Sequence, residues 1–320
     1  MARYRAGLPQ VDGGVFLTDS GIETVLIFHH GYELPDFAAF VLLDDEAGVE
    51  TLRSYFREHA AVAREAGAGF IFESPTWRAS PDWATRLGYG DEALAAANRK
   101  AIDMLAGIRS EFDEPVDRPA PPMVVSGCVG PRGDGYQPAA LMTADEAQSY
   151  HSAQIGTFAE TEADMVTAIT MTYPDEAIGI VRAARDAGIP AAISFTVETD
   201  GVLPDGSSLE QAIGVVDDAT GGGPAYYMVN CAHPTHFDHV LESGGGWRER
   251  IRGIRANASR MSHAELDEAE ELDDGDPHEL GRQYQQLRAS VPEITVLGGC
   301  CGTDLRHVQQ IAAACVRRPG

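Results

Sequence analysis

Three cysteines occupy positions where a metal could gather them. Cys300 and Cys301 are adjacent within Val296-Leu297-Gly298-Gly299-Cys300-Cys301-Gly302, and Cys231 closes the apolar run Tyr226-Tyr227-Met228-Val229-Asn230-Cys231. Zinc prefers thiolates, at about 2.3 Å in tetrahedral geometry, and three of them leave a fourth position open for a substrate. Adjacent residues can bind one ion only where the backbone bends sharply, which Gly298, Gly299 and Gly302 permit. A thiol is a nucleophile as its thiolate, so a metal that deprotonates an incoming thiol and leaves it reactive would activate it for group transfer. Two other readings compete. The adjacent pair could be a redox switch, although redox cysteines are usually separated by two residues, and a buried cysteine can simply be a small hydrophobe, as for Cys315 and Cys128. A second metal reading uses His233, His236 and His239; Pro234 would open a helix there, leaving His233 in the loop beside Cys231.

The elements that must position these sulfurs alternate. Short β-branched segments at Gly14–Thr18, Gly69–Glu73, Met123–Gly127, Met165–Thr170, Ala191–Phe195, Tyr226–Asn230, Ile251–Ala256 and Thr295–Gly298 are predicted strands. Between them, Glu50–Ala66, Asp145–Glu160 and Asp175–Ala187 carry apolar residues at helical spacing, and Gly67 and Gly188 punctuate helix ends. Eight strands with intervening helices predict an α/β fold, a closed (β/α)8 TIM barrel, forming one domain over residues 1–320. No dinucleotide fingerprint or phosphate-binding lysine loop supports an open doubly wound sheet, and the glycine runs Gly221–Gly223 and Gly244–Gly246 read as flexible loops. In such a barrel, chemistry collects at the C-terminal ends of the strands, where Cys231 and the Cys300-Cys301 pair would both lie.

Composition narrows the partners. The formal net charge is −25 and Lys100 is the sole lysine, which argues against nucleic acid. The eight carboxylates between Glu265 and Asp276 read as a solvated surface. An odd count of five cysteines does not resemble a disulfide framework, no apolar run is long enough to span a bilayer, and the opening residues lack a signal-peptide stretch, so the expectation is a cytoplasmic protein.

The cysteine motifs, Asn230-Cys231 and Gly298-Gly299-Cys300-Cys301-Gly302-Thr303, resemble those of the homocysteine S-methyltransferases, zinc-dependent barrel enzymes. The similarity extends through Thr18-Asp19-Ser20-Gly21-Ile22-Glu23-Thr24, Ser74-Pro75-Thr76-Trp77-Arg78, Val129-Gly130-Pro131-Arg132-Gly133, Ile193-Ser194-Phe195 and Asp205-Gly206-Ser207-Ser208-Leu209. The resemblance implies Zn2+ on Cys231, Cys300 and Cys301, which are also the catalytic residues, and substrate binding by Asp19, Thr24, Glu73, Thr76, Thr170 and Asn230. Its partners would be a small-molecule thiol, homocysteine, and a methyl donor of the S-methylmethionine kind; Trp77, Tyr136 and Tyr173 are aromatic candidates for holding an onium charge. One departure stands out. The family places a glutamate near the end of the fourth strand for the substrate ammonium, and here the corresponding pair is Ile169-Thr170, although Glu176-Ala177 follows as usual. Glu23 or Glu73 could compensate, or Thr170, Thr172 and Tyr173 could line a less charged pocket. The alternative reading is therefore a zinc-binding barrel with a different thiol substrate or no transferase activity.

Overall fold

The computed structural model describes residues 1–113, 120–136, 141–269 and 271–316, so Glu270 of the acidic run lies outside the described residues. Eight parallel strands close into a barrel in sequence order: β1 (Phe16–Leu17), β2 (Gly69–Glu73), β3 (Met123–Val129), β4 (Met165–Met171), β5 (Ala191–Phe195), β6 (Tyr226–Asn230), β7 (Ile251–Ala256) and β8 (Val296–Gly299). Four match the expected bounds. β1 is shorter because the chain turns away after Leu17, while β3 and β4 run further toward the rim. No helix among the described residues is long and apolar enough to cross a membrane.

The helices follow local chemistry. Glu46–Ala66 starts where the Asp45 side chain accepts from the Gly48 N–H and stops at Gly67, whose φ of 76° suits a residue without a Cβ. Its buried stripe of Val49, Leu52, Phe56, Ala60 and Ala63 packs on the sheet. Pro174–Ala187 ends the same way at Gly188, and Ala144–Ala159 begins with a capping box between Thr143 and Glu146. The expected starts at Asp145 and Asp175 were each one residue late, while Glu50 falls four residues inside its helix, which begins at Glu46.

Strand alternation separates two cores. Outward residues such as Phe70, Phe72, Val125, Ile193, Phe195 and Val229 meet the helices. Inward residues Phe16, Ile71, Val124, Met165, Ala192, Tyr226, Met228 and Val296 fill the lower barrel, plugged by Leu8 from the N-terminal segment. One step up each strand, the inward row turns polar: Glu73, Ser126, Thr167, Ser194, Asn230 and Arg255 are all buried. The barrel is dry at its base and polar toward the rim, which is where a site belongs.

β8 lies so close to the start of the chain that a Cβ on Gly298 would sit 1.8 Å from Thr18 Oγ1 and 2.8 Å from the Asp19 carbonyl oxygen. Gly298→Ala should therefore force the strands apart and cost about 1–3 kcal/mol, seen as a lower urea midpoint with an unchanged slope. An unchanged midpoint would show that the two segments are not in contact.

Candidate metal centre and substrate cleft

Cys231, Cys300 and Cys301 meet at the C-terminal rim, their sulfurs all within 4.8 Å of one another, and among the described residues they are the sole cluster of potential metal ligands of this size. Cys231 follows β6 in a left-handed conformation, φ 53°, which turns the chain sharply at the strand end. Its N–H donates to the Arg255 carbonyl at 3.1 Å, and its carbonyl accepts from His263 Nε2 at 2.7 Å. Cys300 is tied down by its N–H to the Ala256 carbonyl, and Gly302, φ 78°, makes the bend expected after the pair.

These sulfurs fit a tetrahedral thiophilic cation. The Cys231–Cys301 separation is 3.9 Å, against an edge of about 3.8 Å for a tetrahedron with bonds of about 2.3 Å. Hydrogen bonds from Cys231 and Cys301, together with the charge of Arg255, hold the Cys300 thiol well below its ordinary pKa, while contact with their neighbours and burial push Cys231 and Cys301 up. Thiols this close cannot all ionise without a cation to offset their repulsion. Tyr136 covers the cluster with its hydroxyl 3.4 Å from Cys301 Sγ and its ring stacked at 4.1 Å on His263.

Asn230 joins the sulfurs to the end of β4. Its Oδ1 accepts from the Thr170 N–H (2.9 Å) and the Ser194 hydroxyl (2.6 Å), and its Nδ2 donates to Thr170 Oγ1 (2.8 Å) and lies 3.9 Å from Cys300 Sγ. This clamp holds Thr170 at φ 67°, a conformation costing a β-branched residue about 1–3 kcal/mol. The β4–β5 register shifts at the same place, between Ala168 and Met171. Ile169 beside it is buried and offers its carbonyl to Trp77 Nε1 at 3.2 Å, so the end of β4 presents no acid.

Acidic groups come from β1 and β2 instead. Asp19 is buried, with Oδ1 taking the Arg255 Nη1 hydrogen bond (2.8 Å) and Oδ2 that of the Tyr55 hydroxyl (3.1 Å). Arg255 was missed by sequence reasoning; the available signal was an arginine at an inward position of the short strand Ile251–Ala256. Glu73 accepts from Thr167 at 2.8 Å, and its other oxygen is buried without a partner. Glu23, half-buried in the turn after β1, has its carboxyl pushed up to about 7 by burial with help from the charges of Cys300 and Asp19.

Other expected residues serve the walls. Thr24 Oγ1 accepts from the Gly302 N–H at 3.0 Å, and Thr76 donates to the Cys128 carbonyl at 2.8 Å, so both fix loops. Trp77 carries the Arg78 guanidinium on its ring, the Tyr173 hydroxyl accepts from the Met142 N–H, and Thr172 is buried with its hydroxyl unpartnered. The histidines do not join the sulfurs. His233 caps the helix Pro234–Glu242, His236 bonds the Arg260 carbonyl, and His239 is exposed. Glu176 accepts from His151 and the Arg132 N–H.

Burial raises the Glu73 carboxyl to about 7. The folded protein therefore keeps this proton where the unfolded chain has lost it, so the stability it supports is full below about pH 4 and falls as pH rises toward 7. Glu73→Gln should flatten that decline, narrowing the loss between acid and neutral pH by on the order of 3 kcal/mol in urea melts. Parallel pH profiles for the two proteins would refute the assignment.

Comparison with known proteins agrees with this geometry. The chain shares its fold with the homocysteine methyltransferase MmuM from Escherichia coli: the oxidized form superposes with a TM-score of 0.73 at 19% identity over 93% of this chain and 95% of that one. The metallated form gives 0.72 at 18% identity over 94% and 96%, and the apo form 0.65 at 18% over the same shares. No curated protein matches significantly. The sequence model for homocysteine S-methyltransferase matches residues 18–315, nearly the whole barrel and all three cysteines, and the chain belongs to that family.

Proposed function

We propose that the chain, working as one domain over residues 1–320 in the cytoplasm, is a zinc-dependent S-methyltransferase. It moves a methyl group from a small onium donor of the S-methylmethionine type to homocysteine, giving methionine. The sulfur triangle of Cys231, Cys300 and Cys301 carries this reading, because its 3.9 Å edge suits zinc and three sulfurs would leave the fourth corner of a tetrahedron to the substrate. A metallated form of the Escherichia coli homocysteine methyltransferase, which shares the fold, supports it.

Zinc held there would supply the positive charge that keeps an incoming thiol deprotonated while its sulfur remains nucleophilic. The chain's own part is alignment. Asn230, locked to Thr170 and Ser194, aims its amide at the sulfurs, and the Asp19–Arg255 pair fixes the strand ends on either side of the cleft. Tyr136 is the one aromatic candidate in contact with the sulfurs, so its ring is placed to meet an onium charge while limiting water around the reacting groups. Asp19, Thr24, Glu73, Thr76 and Thr170 then act on substrate mainly through the walls they hold.

Purified protein should contain close to one zinc per chain and convert homocysteine to methionine with one member of a donor panel spanning S-methylmethionine, betaine and S-adenosylmethionine. Cys301→Ala should lose both metal and turnover, read by metal analysis and methionine formation. Full zinc occupancy in that variant would overturn the ligand set, and zinc-loaded protein inert toward the whole panel would overturn the transferase reading.

A further inference from the structure

The His263 ring joins four loops of the rim. It opens the short helix His263–Glu268 after β7, where the Ser262 hydroxyl accepts from the Glu265 N–H and fixes the backbone. Its Nε2 donates to the Cys231 carbonyl at 2.7 Å, with the Thr196 hydroxyl also in reach at 3.4 Å, and its Nδ1 lies 3.0 Å from the Glu198 carboxylate. One face of the ring carries Tyr136, stacked at 4.1 Å between centroids and 18° from parallel. Loops from the ends of β3, β5, β6 and β7 therefore meet on one imidazole that is 5% exposed.

The two attachments act on different parts of the site. The ring's edge holds Cys231, whose left-handed turn out of β6 brings its sulfur 3.9 Å from that of Cys301. The N–H of Cys231 is fastened to the Arg255 carbonyl, which restrains the peptide before the residue; the peptide after it is fastened through its carbonyl to His263. A strained conformation persists only where both sides are held. The ring's face holds Tyr136, whose hydroxyl lies 3.4 Å from Cys301 Sγ. The Tyr136 N–H bonds the Asp134 side chain within its own loop, whereas the stacking on His263 links it to the far side of the rim, since β3 and β7 stand opposite one another in the ring. The phenol therefore spans the barrel mouth.

We infer that His263 is a positioning residue for methyl transfer: its edge pins the Cys231 turn and its face parks Tyr136 across the barrel mouth, so that one side chain sets both the sulfur geometry and the wall that meets the donor. Glu198 orients the ring by standing at Nδ1, which leaves Nε2 aimed at Cys231 and the ring plane parallel to the phenol. Support of this kind behind a ligand governs metal affinity by about tenfold or more. For the donor the inference rests on the transferase reading above; for the metal site it rests on the hydrogen bond to Cys231.

Two substitutions separate the edge from the face. His263→Gln can place an amide N–H where Nε2 stands but has no ring to stack, and His263→Phe keeps a ring but loses both nitrogens. Zinc retention is read by competition with a chromophoric chelator. The position of Tyr136 is read by the rate at which iodoacetamide alkylates Cys301 in the metal-free full-length chain, mapped by mass spectrometry, and donor binding by KM and kcat for the active donor of the panel above. His263→Gln should hold zinc as the native chain does, alkylate about three- to tenfold faster, the range expected for one aromatic stack, and raise the donor KM by a similar factor with a smaller change in kcat. His263→Phe should weaken zinc about tenfold and leave the alkylation rate and donor KM near their native values. Should the phenylalanine variant fail to fold, Tyr136→Leu should reproduce the effects of the glutamine, and combining it with His263→Gln should add little more. Variants that shift zinc retention and alkylation together, or shift neither, would overturn the inference while leaving the transferase reading intact. Zinc-loaded native protein inert toward every donor would overturn that reading and the donor half of the inference with it, leaving zinc retention and alkylation to decide the other half.

Discussion

Arg255 touches both halves of the sulfur set, and the cleft depends on it. Its side chain pairs with Asp19 across 236 residues of sequence, reaches the Ser20 carbonyl at 3.1 Å and the Gly299 carbonyl at 3.1 Å, and its own carbonyl takes the Cys231 N–H. The end of β1, the residue preceding Cys300 and the backbone of Cys231 are thereby referred to a single guanidinium. Removing a buried ion from water is expensive, and such a pair is tolerable only when its remaining donors are met. Here the fork is filled by one carboxylate and two carbonyls, so the energy that would be lost by any slippage is what holds the loops in register.

Around that anchor, two strand ends carry backbone strain: Thr170 and Cys231 both occupy left-handed conformations, as do Asp36 and Phe37 in the loop after β1. The barrel base, filled by Phe16, Ile71, Met165 and Tyr226, needs no such distortion. Thr170 can stay at φ 67° because Asn230 satisfies its N–H and its hydroxyl at once. Rigid packing below and a hydrogen-bonded clamp above are what let an unfavourable local geometry persist where it aims groups at a ligand.

Much of this was legible in the chain. Alternation of β-branched and helical segments marked all eight strands, since period and punctuation are local properties, and the glycine-flanked cysteines announced the bend that brings them beside Cys231. The strand ends were harder to place. β3 and β4 extend to Val129 and Met171 because pairing across the barrel outlasts their apolar run. What pattern could not show was partnership across distance: that Asp19 would be engaged by Arg255, that Tyr136 would stack on His263 over Cys301, or that Thr24 and Thr76 would brace loops. Each depends on residues brought together only by closure of the barrel. The histidines show the converse, regular spacing without convergence, since Pro234 starts a helix that carries His236 and His239 away from the sulfurs.

The rim is also divided between two arcs of the barrel. The sulfurs hang from the ends of β6 and β8, whereas the Glu23 carboxyl and the Arg78 guanidinium, clamped between Trp77 and Trp83, hang from the loops after β1 and β2. The two arcs join through the Asn230–Thr170 clamp and through Asp19–Arg255. Ile169 therefore leaves the end of β4 apolar, while the contacts that fix Cys231 and Cys300 run through the Arg255 and Ala256 carbonyls and His263.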